Sequence, residues 1–254
     1  MDLYEAVFSR KSVRHYKMEL LPPGFFVNLK KYEQGLQPFA PELRFSLKVY
    51  NALGDEARIK GMFKVKAPYY LVLFSEPGES AQVNAGYLLE QIVLYMTSRE
   101  IGTCYQGGAR VLGAEAPDGM EPMMVLAFGK ADEKLYRESF MAKRLPLKEL
   151  CVFKEDPTEE TRRMVQAARM APSAMNGQPW RFLIYQNRIH VFMKKRALRL
   201  GGRLNLRGID MGIMLYHLAL AAEENWRSVE FVRMEQMASK EYKNNDYFLT
   251  VMLT

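Results

Sequence analysis

The amino-acid sequence predicts an α+β fold in which two similar sheet-plus-helix halves, residues 1–150 and 151–254, follow one another. Three observations carry this expectation. Hydrophobic residues make up 48% of the 254 positions, enough for a substantial core. Strand-sized apolar runs are interspersed with segments of helical periodicity. Two long apolar helices, one in each half, hold equivalent places in the same succession of elements, which points to an internal duplication.

In the first half, Leu3 to Phe8 reads as a short helix leading into the segment Arg10-Lys11-Ser12-Val13-Arg14-His15-Tyr16. Phe25, Phe26, Leu29 and Tyr32 fall near helical spacing and predict a helix over about residues 22–34. The stretch from Gln37 to Asn51 is poorly patterned, and Tyr69 to Phe74 is a strand. Asn84 to Gly102 reads as a long, nearly buried helix, with Leu88, Leu89, Ile92, Val93 and Met96 apolar and Gly102 placed to end it. A glycine-rich loop over Gly102 to Gly113, a strand within Glu121 to Ala131 and a basic segment around Lys143 and Arg144 complete this half.

The second half opens on a helix with Asp156 as its N-cap, Pro157 at its first position and Glu159 and Glu160 in its first turn. A loop of Pro, Ser, Asn and Gly residues follows, then two apolar runs from Arg181 and Arg188 that predict a hairpin. A basic run, Lys194 to Arg207, precedes the second long apolar helix, and Val229 to Met234 and Tyr247 to Leu253 are the closing strands.

Charge and composition narrow the function. The balance of 36 Lys and Arg against 29 Asp and Glu gives a net charge of +7 and a pI of about 9.3, which suits an anionic partner. A phosphate-bearing cofactor satisfies this as well as nucleic acid does, and no nucleic-acid-binding signature is present, so no nucleic-acid partner is expected. No apolar run approaches the roughly 20 residues of a membrane helix, and the N-terminus lacks the apolar stretch of a signal peptide; a cytoplasmic location without a membrane partner is expected. Cys104 and Cys151 form no CxxC, and His15, His190 and His217 are scattered, which argues against a disulfide framework and a metal site.

Alternate residues of an extended segment share a face, so Arg10, Ser12 and Arg14 project together. Two guanidiniums and a hydroxyl suit phosphate or another delocalised anion, although taken alone the segment reads more simply as a solvated basic edge. The loop Ala171-Pro172-Ser173-Ala174-Met175-Asn176-Gly177-Gln178-Pro179-Trp180 likewise has the composition of any helix-to-strand connection.

Together, however, the two segments resemble the RxSxR and APSxxNxQPW motifs of the nitroreductase family of flavin enzymes. The long first-half helix with the loop Gly102-Thr103-Cys104-Tyr105-Gln106-Gly107-Gly108 is similar to that family's central helix and GG loop, and Lys143-Arg144-Leu145-Pro146 to its basic C-terminal segment. The family's Gly-Tyr-Pro is replaced here by Gly129-Lys130-Ala131. The order also departs from the family, whose members carry both leading motifs close together in one half; here one stands in each half. The resemblance implies an obligate dimer fused into one chain, a pseudo-dimer with one complete FMN site, existing as a monomer or a weak homo-oligomer.

Carried across residue by residue, the resemblance places Arg10, Lys11, Ser12, Lys143 and Arg144 toward the FMN phosphate. It places Arg14, with Lys64, at the pyrimidine edge of the flavin, Gly107 and Gly108 at N5 and O4, and Pro172, Ser173 and Asn176 against the ring from the second half. Gln178 and Trp180 hold the loop, and no protein acid or nucleophile is required for catalysis. The activity implied is two-electron reduction of nitroaromatics, quinones or similar acceptors by NAD(P)H. A catalytically silent flavin- or ligand-binding protein of the same fold is the alternative.

Overall fold

In the computed structural model, which describes residues 1–54, 58–61, 64–195 and 206–254, the chain forms two units, Met1–Met141 and Ala142–Thr254. Residues 142–150, expected with the first half, belong to the second because their hydrogen bonds and the short strand that follows them are made there.

The first unit contains α1 (Leu3–Ser9), α2 (Pro23–Glu33), β1 (Phe45–Asn51), β2 (Arg58–Gly61), β3 (Tyr69–Ser75), α3 (Ala81–Ser98), β4 (Gly102–Tyr105), β5 (Ala109–Leu112) and β6 (Glu121–Gly129). Helix α1 starts at Asp2, whose carboxylate accepts from Glu5 N while the Glu5 side chain accepts from Asp2 N, a reciprocal cap. The poorly patterned stretch proves to contain β1. It is an edge strand whose positions are nearly all half-buried, so it shows no strict two-residue alternation. An antiparallel sheet runs β1-β3-β6-β4, with β2 and β5 forming a separate pair.

Helix α3 is buried at 16 of its 18 positions, as its apolar run predicts. Gly102 does not end it. The helix stops at Ser98, and Glu100, at φ 62°, makes the left-handed turn that glycine was expected to supply. Gly102 instead opens β4.

The second unit contains α4 (Leu147–Leu150), β7 (Cys151–Phe153), α5 (Glu159–Met170), β8 (Trp180–Ile184), β9 (Arg188–Lys194), α6 (Arg207–Glu224), β10 (Val229–Val232), α7 (Glu235–Ala238), β11 (Glu241–Tyr242) and β12 (Asn245–Leu253). The N-cap of α5 is Thr158, whose hydroxyl accepts from Thr161 N, and not Asp156 as the sequence predicts. The predicted hairpin is present as β8 and β9.

The two units share one topology. The succession α2-β1-β3-α3-β4-β6 is matched by α5-β8-β9-α6-β10-β12. The first sheet runs β1-β3-β6-β4 and the second β8-β9-β12-β10, all antiparallel, with β7 added parallel outside β8. Helices α3 and α6 are both 18 residues long and both lie mostly buried. The match in element order thus extends to strand order.

Candidate functional site

In the first unit the cationic N-terminal segment is stitched onto the sheet end rather than left as a free edge. Arg10 is bridged to Tyr136, Ser12 runs parallel to Thr103 of β4, and Tyr16 is bridged to Ala131. Val13 and Tyr16 point into the core beside Tyr70, Val72 and Cys104, and Tyr16 donates its hydroxyl to Ala127 O at 3.2 Å. The buried positions are Arg10, Val13 and Tyr16, every third residue, so the expected common face of Arg10, Ser12 and Arg14 is not matched in burial: Arg10 is 2% exposed, Lys11 and Ser12 are half-buried and Arg14 is exposed.

The Arg10 Nε and Nη2 atoms are buried without a hydrogen-bond partner. A guanidinium taken out of water in this way carries a large desolvation cost unless an anion accepts from it. This is the feature of the unit that fits a phosphate. Lys11, by contrast, is engaged: its ammonium lies 2.7 Å from Glu133 Oε2. Glu133 also accepts from Arg14 N at 2.6 Å and His15 N at 3.2 Å. Burial pushes the Glu133 carboxyl up, but the Lys11 ammonium and the two N–H donors outweigh it and hold the group at about 2.

The GG loop is set by Gln106, which sequence reasoning passed over. Its side-chain oxygen accepts from Val65 N at 2.8 Å, and its amide nitrogen donates to Cys104 O at 3.1 Å. Gly108 has φ 84°, a left-handed conformation natural to glycine, and a Cβ on Gly61 would stand 2.4 Å from Gly108 O. Gly61 therefore lets the two backbones approach, and no sequence signal announced it. Lys64 is exposed. Among the described residues of this unit there is also a cavity of about 850 Å³ lined by α2, Tyr95, Arg99 and Lys130, and it contains none of the predicted site residues.

In the second unit the Pro172–Trp180 loop is tightly cross-braced. Met175, Asn176 and Gln178 have φ of 51°, 55° and 44°, three left-handed residues in four positions and none of them glycine. Gln178 holds the loop: its N donates to Ser173 Oγ at 2.9 Å, its Oε1 accepts from Leu145 N at 2.8 Å and its Nε2 donates to Asn176 O at 3.3 Å. Asn176 Nδ2 donates to Lys143 O at 2.9 Å, and Arg144 Nη1 donates to Asn176 Oδ1 at 3.0 Å. Arg144 further donates through Nη2 to Met170 O at 3.0 Å. Lys143 is exposed, and Pro172 and Ser173 are half-buried.

Beneath this loop lies Asp210, in the first turn of α6, whose Oδ1 accepts from Ala174 N at 2.8 Å. Burial drives its carboxyl up to about 7 against the Ala174 N–H and the Arg207 charge. The predicted basic run from Lys194 to Arg207 falls mostly at 196–205, outside the described residues. His190 and His217 are buried and hydrogen-bonded, to Thr250 Oγ1 and Ala167 O respectively, while His15 is exposed beside Glu133. Among the described residues no group of three or more His, Cys, Asp or Glu is placed to hold a metal ion, and no helix is long and apolar enough to cross a membrane.

The four-stranded antiparallel arrangement with a buried 18-residue helix, present in each unit, is that of a nitroreductase fold. The family model described as "Putative TM nitroreductase" matches residues 2–222, and the chain belongs to that family. Among solved structures, one described as a putative nitroreductase from Thermotoga maritima is similar at 20% identity with a TM-score of 0.66, covering 99% of this chain and 94% of that one. An FMN-dependent nitroreductase from Clostridium difficile aligns at 13% identity and a TM-score of 0.44 over 57% of this chain and 97% of its own. A nitroreductase family protein from Clostridium novyi aligns at 14% identity and a TM-score of 0.41 over 55% of this chain and 90% of its own. The curated proteins contain no significant match.

Proposed function

We propose that the protein is an FMN-dependent oxidoreductase that uses NAD(P)H to reduce nitroaromatic, quinone or similar small acceptors. The observation that carries the reading is the buried, unpartnered Arg10 guanidinium in the segment that resembles the family's phosphate-binding motif. Family membership supports reading that anion as a flavin phosphate. When bound, FMN supplies the redox chemistry, accepting hydride from the nicotinamide and passing two electrons to the acceptor.

The chain's own residues then bind and orient. Arg10 and Ser12 hold the phosphate end, and Arg14 brings positive charge to the pyrimidine edge, where reduction builds up negative charge. The Gly107-Gly108 turn offers backbone N–H groups without a Cβ in the way. Pro172, Ser173 and Asn176, in the second unit, are the residues of the family's other flavin-facing motif. The reading carries with it a cytoplasmic protein without nucleic-acid or membrane partners, monomeric or weakly self-associating.

The test is a visible absorption spectrum of the purified protein, followed by anaerobic addition of NADH or NADPH. The expected result is a flavin spectrum near one FMN per chain that bleaches on addition. A colourless protein that FMN cannot reconstitute overturns the reading, and bound FMN that neither nucleotide reduces identifies a silent binding protein instead.

A further inference from the structure

Arg10 is not the only buried guanidinium at its end of the first unit. Arg137 also has Nε and Nη2 sealed from solvent with no hydrogen-bond partner. The backbone brings the two residues together: Arg10 is bridged to Tyr136, and Arg137 N donates to Ser9 O at 2.9 Å. Burial, and then the positive charge of Arg10, lower the Arg137 guanidinium to about 10, and no carboxylate opposes them. Of the acids near it along the chain, the adjacent Glu138 is exposed to solvent, and Glu133 is already engaged by Lys11 and two backbone N–H groups. Two like charges held together out of water are unfavourable in themselves, and an anion accepting from both reverses the sign of the interaction.

The cation that the basic segment was expected to supply is committed elsewhere. Arg144 donates to Met170 O and Asn176 Oδ1 within its own loop. Its planar fork is therefore used to brace the turn.

We propose that Arg137 joins Arg10 in a two-guanidinium subsite for a phosphate monoester dianion, and that this pair, rather than Lys143 and Arg144, makes the protein select a phosphorylated flavin. The inference rests on the flavin reading above and adds to it the residue that recognises the phosphate. A monoester carries close to two negative charges at neutral pH, which matches two guanidiniums offering bidentate donors.

The experiment titrates the full-length apoprotein with FMN and with riboflavin, following quenching of flavin fluorescence. The wild type is expected to bind FMN at least 30-fold more tightly than riboflavin, an order-of-magnitude ratio for one desolvated charge pair. Arg137→Gln is expected to lose about 30-fold in FMN affinity while riboflavin affinity is unchanged, and Arg137→Lys to lose less. Retained riboflavin binding also reports that the variant is folded. Arg137→Gln binding FMN as the wild type does, or losing both flavins equally, overturns the proposal and leaves the flavin reading intact. A wild type that binds neither flavin removes both.

Discussion

Glu133 Oε2 stands 2.7 Å from Lys11 Nζ, across 122 positions of sequence, and the same carboxylate accepts from Arg14 N and His15 N. One side chain thus fixes one charge and two backbone N–H groups of the cationic segment. Glu133→Gln is expected to lower stability by about 2 kcal/mol at pH 7, because bonds to a partly buried charged group are worth more than neutral ones. The carboxyl is held at about 2 in the folded protein, below its usual unfolded value. Its contribution is therefore present above pH ~4.3 and fades as pH falls through about 2. Denaturant unfolding of wild type and variant should give curves that converge over that interval. Equal midpoints at pH 7 would show that the carboxylate adds nothing.

Gly102 makes room for the same segment from the other side. A Cβ there would meet Val13 Cγ2 at 2.8 Å and Val13 Cβ at 2.9 Å, while Val13 N must still donate to Thr103 O at 2.9 Å. Val13 is buried, so it has no solvent to retreat into. Gly102→Ala is expected to cost about 2 kcal/mol and to weaken flavin retention, since the strand carrying Arg10 and Ser12 must shift. Gly54→Ala, where nothing lies within 4 Å, serves as the control and should be near neutral. Matching melting temperatures for the two variants would contradict the steric account.

Asp210 couples the second-unit loop to pH. Its folded carboxyl lies at about 7, raised by burial, against an unfolded value near the usual 3.8. A raised carboxyl stabilises the fold fully only below its unfolded value, so wild-type stability is expected to fall as pH rises from about 4 through about 7. The loss is on the order of 3 kcal/mol. Asp210→Asn keeps an oxygen to accept from Ala174 N and should flatten that decline. Unfolding measured at pH 5 and pH 8 decides it: an equal drop in both proteins would place the pH dependence elsewhere.

Much of this architecture was legible beforehand because its signals are local. Leu88, Leu89, Ile92, Val93 and Met96 announce a buried helix, and the APSxxNxQPW-like loop stands out by composition. What escaped was decided by distant partners. Nothing near Glu133 marks it as the clamp on Lys11, and Gln106 and Gly61 act on backbone brought to them by the fold. Arg144 fitted a phosphate-binding pattern by residue type, yet its neighbours in space are carbonyls and an amide oxygen. Motif spacing identifies which residue types meet, and it does not say which cation is left unpartnered once the loops have closed.

Arg144 and Asn176 supply the sharpest distinction between bracing and binding. Arg144 Nη1 donates to Asn176 Oδ1 at 3.0 Å, and Asn176 Nδ2 returns to Lys143 O at 2.9 Å, so the loop is closed in both directions. Asn176 sits at φ 55°, a conformation that asparagine tolerates better than most residues. Asn176→Ala is therefore expected to destabilise by about 1–2 kcal/mol through the lost bonds and the strained backbone together. Arg144→Met should cost a similar amount. Because each removes the same contact, the double variant should fall short of the sum by at least about 0.5 kcal/mol. Both single variants should weaken riboflavin and FMN binding by the same factor, since a displaced loop affects the ring and not the phosphate. If Arg144→Met instead discriminates against FMN alone, Arg144 is a phosphate ligand and the bracing role is refuted.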